Sequence, residues 1–218
     1  MSNFDLLIRN GTVATAADTF QADVAIKDGR VVALGHDLGT AEQEIDAAGK
    51  LLLPGGIEGH CHIEQISSSR VMTADDFYSG TVSAVFGGTT TVIPFAAQQK
   101  GDSLRQTVED YHACAGPKAV IDYGFHLIIS APSDQVIGQE LPALIKDGYT
   151  SFKVYMTYDD LRLDDYQMLE VLSAARRDGA MVMVHAENHD MIRWLSEKLL
   201  DAGHWQPQYL AISHSRAG

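Results

Sequence analysis

The chain changes rhythm across Leu51-Leu52-Leu53-Pro54-Gly55-Gly56-Ile57-Glu58-Gly59-His60-Cys61-His62. Before it, residues 3–52 read as short strands: Phe4–Arg9, Ala22–Lys27 and Arg30–Leu34, with Asp28-Gly29 as a hairpin turn between the last two. After it, apolar strand-like runs alternate with helical patterns. Strands are expected at Leu51–His62, Thr90–Phe95, Ile121–Ile129, Ser151–Tyr155 and Met181–His185. Helices are expected at Ala74–Phe86, Ser103–Ala115, Ser133–Asp147, Asp164–Asp178 and Asn188–Ala202. Gly87-Gly88, Gly148 and Gly179 fall where glycine ends a helix. Such alternation predicts an α/β domain with a parallel sheet and helical crossovers. It does not by itself separate a closed barrel from an open sheet.

His60 and His62 are two residues apart, and side chains two apart on a strand point the same way. Two imidazoles at a strand end can bind one metal ion, or they can simply share a partly exposed strand face. Lys153 stands in the β-rich run Thr150-Ser151-Phe152-Lys153-Val154-Tyr155-Met156-Thr157-Tyr158. A buried lysine has a depressed pKa and a nucleophilic neutral fraction, which can add carbon dioxide to give a carbamate. The plainer reading is a strand-end lysine that snorkels to water. His185 ends the apolar run Ala180-Met181-Val182-Met183-Val184, as a core histidine or as a third strand-end residue with metal-competent chemistry.

Taken in order, these segments resemble the dihydropyrimidinase and hydantoinase family of the amidohydrolase superfamily. The likeness runs through essentially the whole chain. It includes Phe4-Asp5-Leu6-Leu7-Ile8-Arg9-Asn10-Gly11-Thr12-Val13, the Pro54-Gly55-Gly56 approach to the histidine pair and Asp75-Asp76-Phe77-Tyr78-Ser79-Gly80-Thr81. Gly87-Gly88-Thr89-Thr90-Thr91 and Phe152-Lys153-Val154-Tyr155-Met156 complete it. The resemblance implies a (β/α)8 TIM barrel, with about five of its eight units in this chain, and a small N-terminal β-sandwich module. Residues 1–52 would form part of the sandwich domain and 53–218 the N-terminal portion of the barrel. Active sites of such barrels lie at the carboxyl ends of the strands, where His60, His62, Lys153 and His185 are expected.

The resemblance further implies two zinc ions per subunit. His60 and His62 would bind the more buried ion, Lys153 as its carbamate would bridge the pair, and His185 would bind the second. Tyr158 would hydrogen-bond the substrate carbonyl oxygen. The implied reaction is hydrolysis of a dihydropyrimidine or a 5-substituted hydantoin to an N-carbamoyl amino acid by a metal-bridging hydroxide. Two positions depart from the family pattern: Glu58 stands where an aspartate is usual and Cys61 where a threonine is usual. Strand alternation turns Cys61 away from the histidines, into packing. A later-strand histidine ligand and an aspartate that is both ligand and proton shuttle have no counterpart here. His189, His204 and His214 lie in helical or loop patterns. A (β/α)8 barrel takes ~250 residues, so the 218-residue chain is expected to be the N-terminal part of a longer enzyme.

Other residues carry less. His126 is expected as a core histidine or one that supports the site. Ser67-Ser68-Ser69 has no His-Asp partners in view, and the loop Glu64–Met72 is read as shaping substrate access. Asp159 and Asp160 are read as solvated loop carboxylates.

The composition, 45% hydrophobic and 21% charged, is that of an ordinary globular protein. A net charge of −13 disfavours nucleic acid and anionic membranes as partners. No apolar stretch reaches the roughly 18 residues of a membrane helix. Asp5 and Arg9 close around the first apolar run, so no signal peptide is expected. Cys61 and Cys114 make no disulfide framework, and a reducing, cytoplasmic setting is expected. The resemblance implies a small cyclic amide as the partner and a homotetramer as the assembly. Competing readings are an allantoinase or dihydroorotase-like hydrolase, and a non-catalytic homologue serving as an assembly subunit.

Overall fold

The structure, a computed structural model, describes residues 3–67 and 70–214. Ser68 and Ser69 of the serine run lie outside the described residues. Two compact units divide the chain, one through Gly55 and one from Gly56 onward.

The first unit is a five-stranded sheet of β1 (Phe4–Ala14), β2 (Thr19–Lys27), β3 (Arg30–Gly35), β4 (Ala41–Asp46) and β5 (Leu51–Leu52). The order is β3-β2-β1-β4, with β5 also on β1. The meander β1-β2-β3 is antiparallel, whereas β4 and β5 run parallel to β1. Asp28 and Gly29 take φ of 53° and 70°, the paired left-handed conformations of a tight hairpin. Val13, Ala22 and Val24 are buried on one face with Ile8, Ile26 and Leu52 beside them. Gly11 has no side chain for a steric reason: a Cβ there would stand 2.5 Å from Leu52 Cδ1.

The second unit alternates strand and helix. Its elements are β6 (Gly56–Cys61), α1 (Phe77–Phe86), β7 (Thr89–Ala97), α2 (Leu104–Ala115), β8 (Asp122–Tyr123), β9 (His126–Ile128), α3 (Leu141–Lys146), β10 (Ser151–Tyr155), α4 (Asp165–Asp178), β11 (Met181–His185) and α5 (His189–Asp201). The sheet order is β6-β7-β9-β10-β11, with β8 beside β7, and every pairing is parallel. Each main strand is laid down beside the one before it. A doubly wound sheet reverses that progression at a switch point; here it never reverses. With right-handed crossovers, all helices then fall on one face and the sheet curls as a barrel wall. Among the described residues there are five strand–helix units, the part of a (β/α)8 barrel that was expected.

Strand alternation separates two cores. Phe152 and Val154 of β10 are wholly buried in the layer under the helices, with Val92 and Leu127 from neighbouring strands. Phe77 of α1, Leu104 and Val108 of α2, and Val171 of α4 close that layer. On the opposite, inward face, Phe95, Ile128 and Tyr155 form a smaller cluster with Met183 packed against it.

The helices begin where a side chain can take their free N–H groups. Asp76 and Asp164 form capping boxes with Ser79 and Gln167, while Ser103 and Asn188 cap α2 and α5. A second acceptor comes from far away. Buried Glu140, in the π-helical turn Val136–Glu140 before α3, accepts from Leu104 N at 2.7 Å and Arg105 N at 3.3 Å.

Three expectations change. Leu51–His62 is two strands: β5 joins the first unit, β6 opens the second, and Leu53-Pro54-Gly55 breaks the ladder because proline has no N–H to give. The Ile121–Ile129 strand is likewise split, into β8 and β9. β4 was not anticipated, since Glu42, Gln43 and Glu44 lie exposed on an edge strand and carry no apolar alternation.

Phe77 is fully buried and packs its ring near Tyr123 and Phe125. Phe77→Ala is expected to cost about 3–5 kcal/mol of unfolding free energy. Urea unfolding of the two proteins measures this, and a loss below about 1 kcal/mol would mean α1 is not anchored by that ring.

Candidate active site

At the carboxyl ends of the parallel strands lies a cleft of about 750 Å³. His60 and His62 from β6 and the residue after it, Lys153 from β10, His185 from the end of β11 and Tyr158 from the loop after β10 all line it. The structure thus gathers all five candidate residues around one space. His126, His189, His204 and His214 do not line it.

The histidine pair leans on one ring. Phe95 of β7, 1% exposed, meets His60 edge-on at 4.8 Å between centroids and stacks with His62 at 5.1 Å. The two imidazole centroids are 6.1 Å apart. Glu58 turns its carboxylate back to accept the His60 backbone N–H at 2.8 Å. Cys61 packs against the helix-side core, and burial, with nearby Glu58 adding to it, pushes its thiol up to about 11. It is inert packing, as alternation implied.

His62 donates from Nδ1 to Gln65 Oε1 at 2.5 Å. Gln65, which sequence reading passed over, comes from the loop after β6 and also lines the cleft. Ile66, Ser67 and Arg70 of that loop do so as well.

Lys153 is 8% exposed. Among the described residues no carboxylate or hydrogen-bond acceptor meets its amine, and the centroid of the Tyr155 ring lies 5.2 Å from Nζ. Desolvation lowers its pKa, enlarging the neutral fraction. A buried lysine without a counter-ion is costly as an ammonium and chemically suited to carbamate formation.

His185 stands opposite Tyr155 in the β10–β11 register and stacks on that ring at 5.6 Å. Its Nε2 is held by Glu187 at 2.5 Å, with the Tyr158 hydroxyl 3.5 Å away. Glu187 is the second site residue missed in the sequence; two residues past a strand end, nothing local distinguishes it from a helix-leading carboxylate. Tyr158 adopts φ of 72°, an unfavourable left-handed conformation for a bulky residue. Burial, then the nearby Glu187 charge, raises its pKa, so the phenol stays protonated and able to donate.

Among the described residues no three His, Cys, Asp or Glu side chains form a ready metal-binding group. The histidine pair needs a donor of another kind, and a carbamate on Lys153 would supply carboxylate-like oxygen. With imidazole nitrogen, that donor set fits zinc. Asp160 lines the cleft and is exposed; Asp159 is exposed as well.

His126 supports the wall from behind. Its Nε2 donates to the Gly59 carbonyl at 3.1 Å, immediately before His60, and its Nδ1 accepts from the Ser151 hydroxyl at 2.5 Å. In the neutral ring, Nε2–H serves the carbonyl and the Nδ1 lone pair takes the hydroxyl proton.

The amidohydrolase family model matches residues 51–212. A D-hydantoinase of Geobacillus stearothermophilus is 48% identical over 95% of this chain and 44% of its own length. The dihydropyrimidinase of Rattus norvegicus is 41% identical over 93% of this chain and 40% of its own. Among solved structures, a D-hydantoinase superposes with a TM-score of 0.94 at 43% identity, over 98% of this chain and 47% of that one. The dihydropyrimidinase of Brevibacillus agri gives 0.91 at 43%, over 96% and 46%. The chain therefore spans less than half the length of the curated relatives it matches.

Burial holds the folded-state pKa of His126 below the ordinary 6.5. The stability that this ring contributes is thus complete above about 6.5 and is lost as pH falls through the folded value. His126→Gln removes this titration. Urea unfolding at pH 8 and pH 5 is expected to show a larger acid loss in the parent than in the variant; equal losses would show that His126 titrates freely.

Proposed function

The chain belongs to the amidohydrolase family, in its hydantoinase and dihydropyrimidinase branch, and from that membership we propose that the protein hydrolyses a cyclic amide, a dihydropyrimidine or a 5-substituted hydantoin, with zinc. The observation that carries this reading is the nature of the cleft: three histidines, a protonated phenol and a buried lysine with no counter-ion among the described residues, all from the carboxyl ends of parallel strands. His60, His62, His185 and Lys153 as its carbamate would hold the metal pair. Zinc, when bound, supplies a Lewis acid toward a carbonyl and brings the ionisation of water near pH 7.

The remaining work falls to the protein's own groups. The neutral Lys153 amine adds to carbon dioxide, forming an N–C bond and releasing its proton to solvent. His62, protonated on Nδ1, keeps the Nε2 lone pair for a ligand. Tyr158 Oη donates to the substrate carbonyl oxygen, where negative charge grows as water adds to the carbon. The ring C–N bond then breaks and the nitrogen takes a proton, giving an N-carbamoyl amino acid. Apolar side chains of Ala97, Ile128 and Leu161 line the same cleft and suit an uncharged ring.

Free thiols at Cys61 and Cys114 accord with a reducing, cytoplasmic setting. Among the described residues no helix is long and apolar enough to cross a membrane.

Lys153→Ala is expected to lower zinc content and abolish hydantoin hydrolysis, with partial recovery on adding a short carboxylic acid. Unchanged zinc and rate would refute the carbamate. Tyr158→Phe is expected to retain zinc and lower kcat by roughly 10²–10³, the usual loss for one donor to a developing oxyanion. Loss of zinc in that variant would instead make Tyr158 a scaffold residue.

A further inference from the structure

We propose that Gln65 is a positioning residue that fixes the tautomer of His62 and so makes its Nε2 the ligand atom. This rests on the reading of the cleft as a metal centre. Gln65 is 7% exposed, and each polar atom of its side chain is engaged. Its Nε2 donates to the Phe95 carbonyl at 3.1 Å and to the Tyr111 hydroxyl at 3.0 Å. A carbonyl can only accept, so the amide nitrogen must face Phe95, and Oε1 must face His62. That oxygen in turn can only accept, so the proton on His62 must sit on Nδ1. The chain of requirement starts at a backbone carbonyl and leaves no freedom at the imidazole.

The backbone of Gln65 is held as firmly. Its N–H donates to Thr73 Oγ1 at 3.0 Å, and its carbonyl accepts from Thr73 N at 2.9 Å. Phe95 contributes twice, through its carbonyl to Gln65 and through its ring, which stacks on His62 at an interplanar angle of 26°. The ring plane and the proton position of His62 are therefore both set from β7. Neutral imidazole free in water favours the opposite tautomer, protonated on Nε2, which would leave the wrong nitrogen for a ligand in the cleft. Groups that orient a metal-binding histidine in this way are typically worth about 10–100-fold in metal affinity.

The test uses the protein labelled with ¹⁵N-histidine, first without metal, and reads His62 by long-range ¹H–¹⁵N correlation, its signal identified by loss in His62→Asn. The parent is expected to show His62 protonated on Nδ1. Gln65→Met, similar in length and unable to accept, is expected to shift the ring towards Nε2–H and to weaken zinc binding, measured against a chromophoric chelator, by about 10–100-fold. Gln65→Glu, which restores an acceptor, is expected to recover the Nδ1–H form and most of the affinity. A folded Gln65→Met that keeps Nδ1–H, or that binds zinc as tightly as the parent, overturns the proposal. If Gln65→Met does not fold, Tyr111→Phe carries the test, since it removes one anchor of the amide and leaves Gln65 in place. A partial shift of tautomer and affinity in the same direction is then expected, and none would overturn it. A parent protein that takes up no zinc would defeat the metal-centre reading, while the His62 spectrum would still decide whether Gln65 governs the ring.

Discussion

All strands of the second unit run the same way, and the chemistry of the cleft depends on that shared direction. In a parallel sheet every carboxyl end reaches the same rim, so residues far apart in sequence arrive together. Register completes the effect. Tyr155 faces His185, Lys153 faces Met183 on one side and Ile128 on the other, and Phe95 faces His126. A slip of one residue in β10 would carry Lys153 into the layer that Phe152 and Val154 occupy under the helices. The size of that apolar layer therefore protects the placement of one amine on the other face.

Polar order at the rim is built on apolar support. The ring of Phe95 carries the histidine pair, and the ring of Tyr155 stacks with His185 and lies 5.2 Å from Lys153 Nζ. Loop residues bear a conformational cost beside them: Tyr158 with φ of 72°, Arg70 with φ of 59° and Glu64 with φ of 49°. At Glu64 the compensation is visible. Its carboxylate accepts from Phe77 N at 3.1 Å, the first N–H of α1, and is paired with the Lys118 ammonium. The loop that brings Gln65 under His62 is thus tied to the outer helix layer.

Much of this was legible along the chain, because helices and strands announce themselves locally. Ser103, Asp164 and Asn188 marked helix starts and proved to be capping residues; β10 and β11 begin and end where their apolar runs do. The features that escaped reading depend on distance. Gln65 matters through Tyr111, 46 positions away, and through Phe95, 30 away, and no local pattern marks such a residue. Glu187 takes its place from the side chain it meets, and not from its neighbours in sequence. β4 exists because β1 offers it a ladder, not because Glu42, Gln43 and Glu44 favour a strand. Pro54 was visible all along, yet the apolar run through it masked the break between β5 and β6.

The π-helical turn before α3 has a consequence for how this chain can change. It holds one residue more than an α-helical turn, and that surplus sets the direction in which Glu140 leaves the helix. Each residue removed rotates the residues on its N-terminal side by about 100° relative to α3 on its C-terminal side. Gln135, whose amide donates to Glu140 Oε1 at 2.8 Å, and the first turn of α2 would then no longer be addressed together. Loss of the extra residue alone leaves a buried carboxylate without its partners, and loss of Glu140 alone leaves α2 without its second acceptor. The irregular turn and the carboxylate it aims are therefore one device, holding together two helices that lie nearly forty residues apart in the chain.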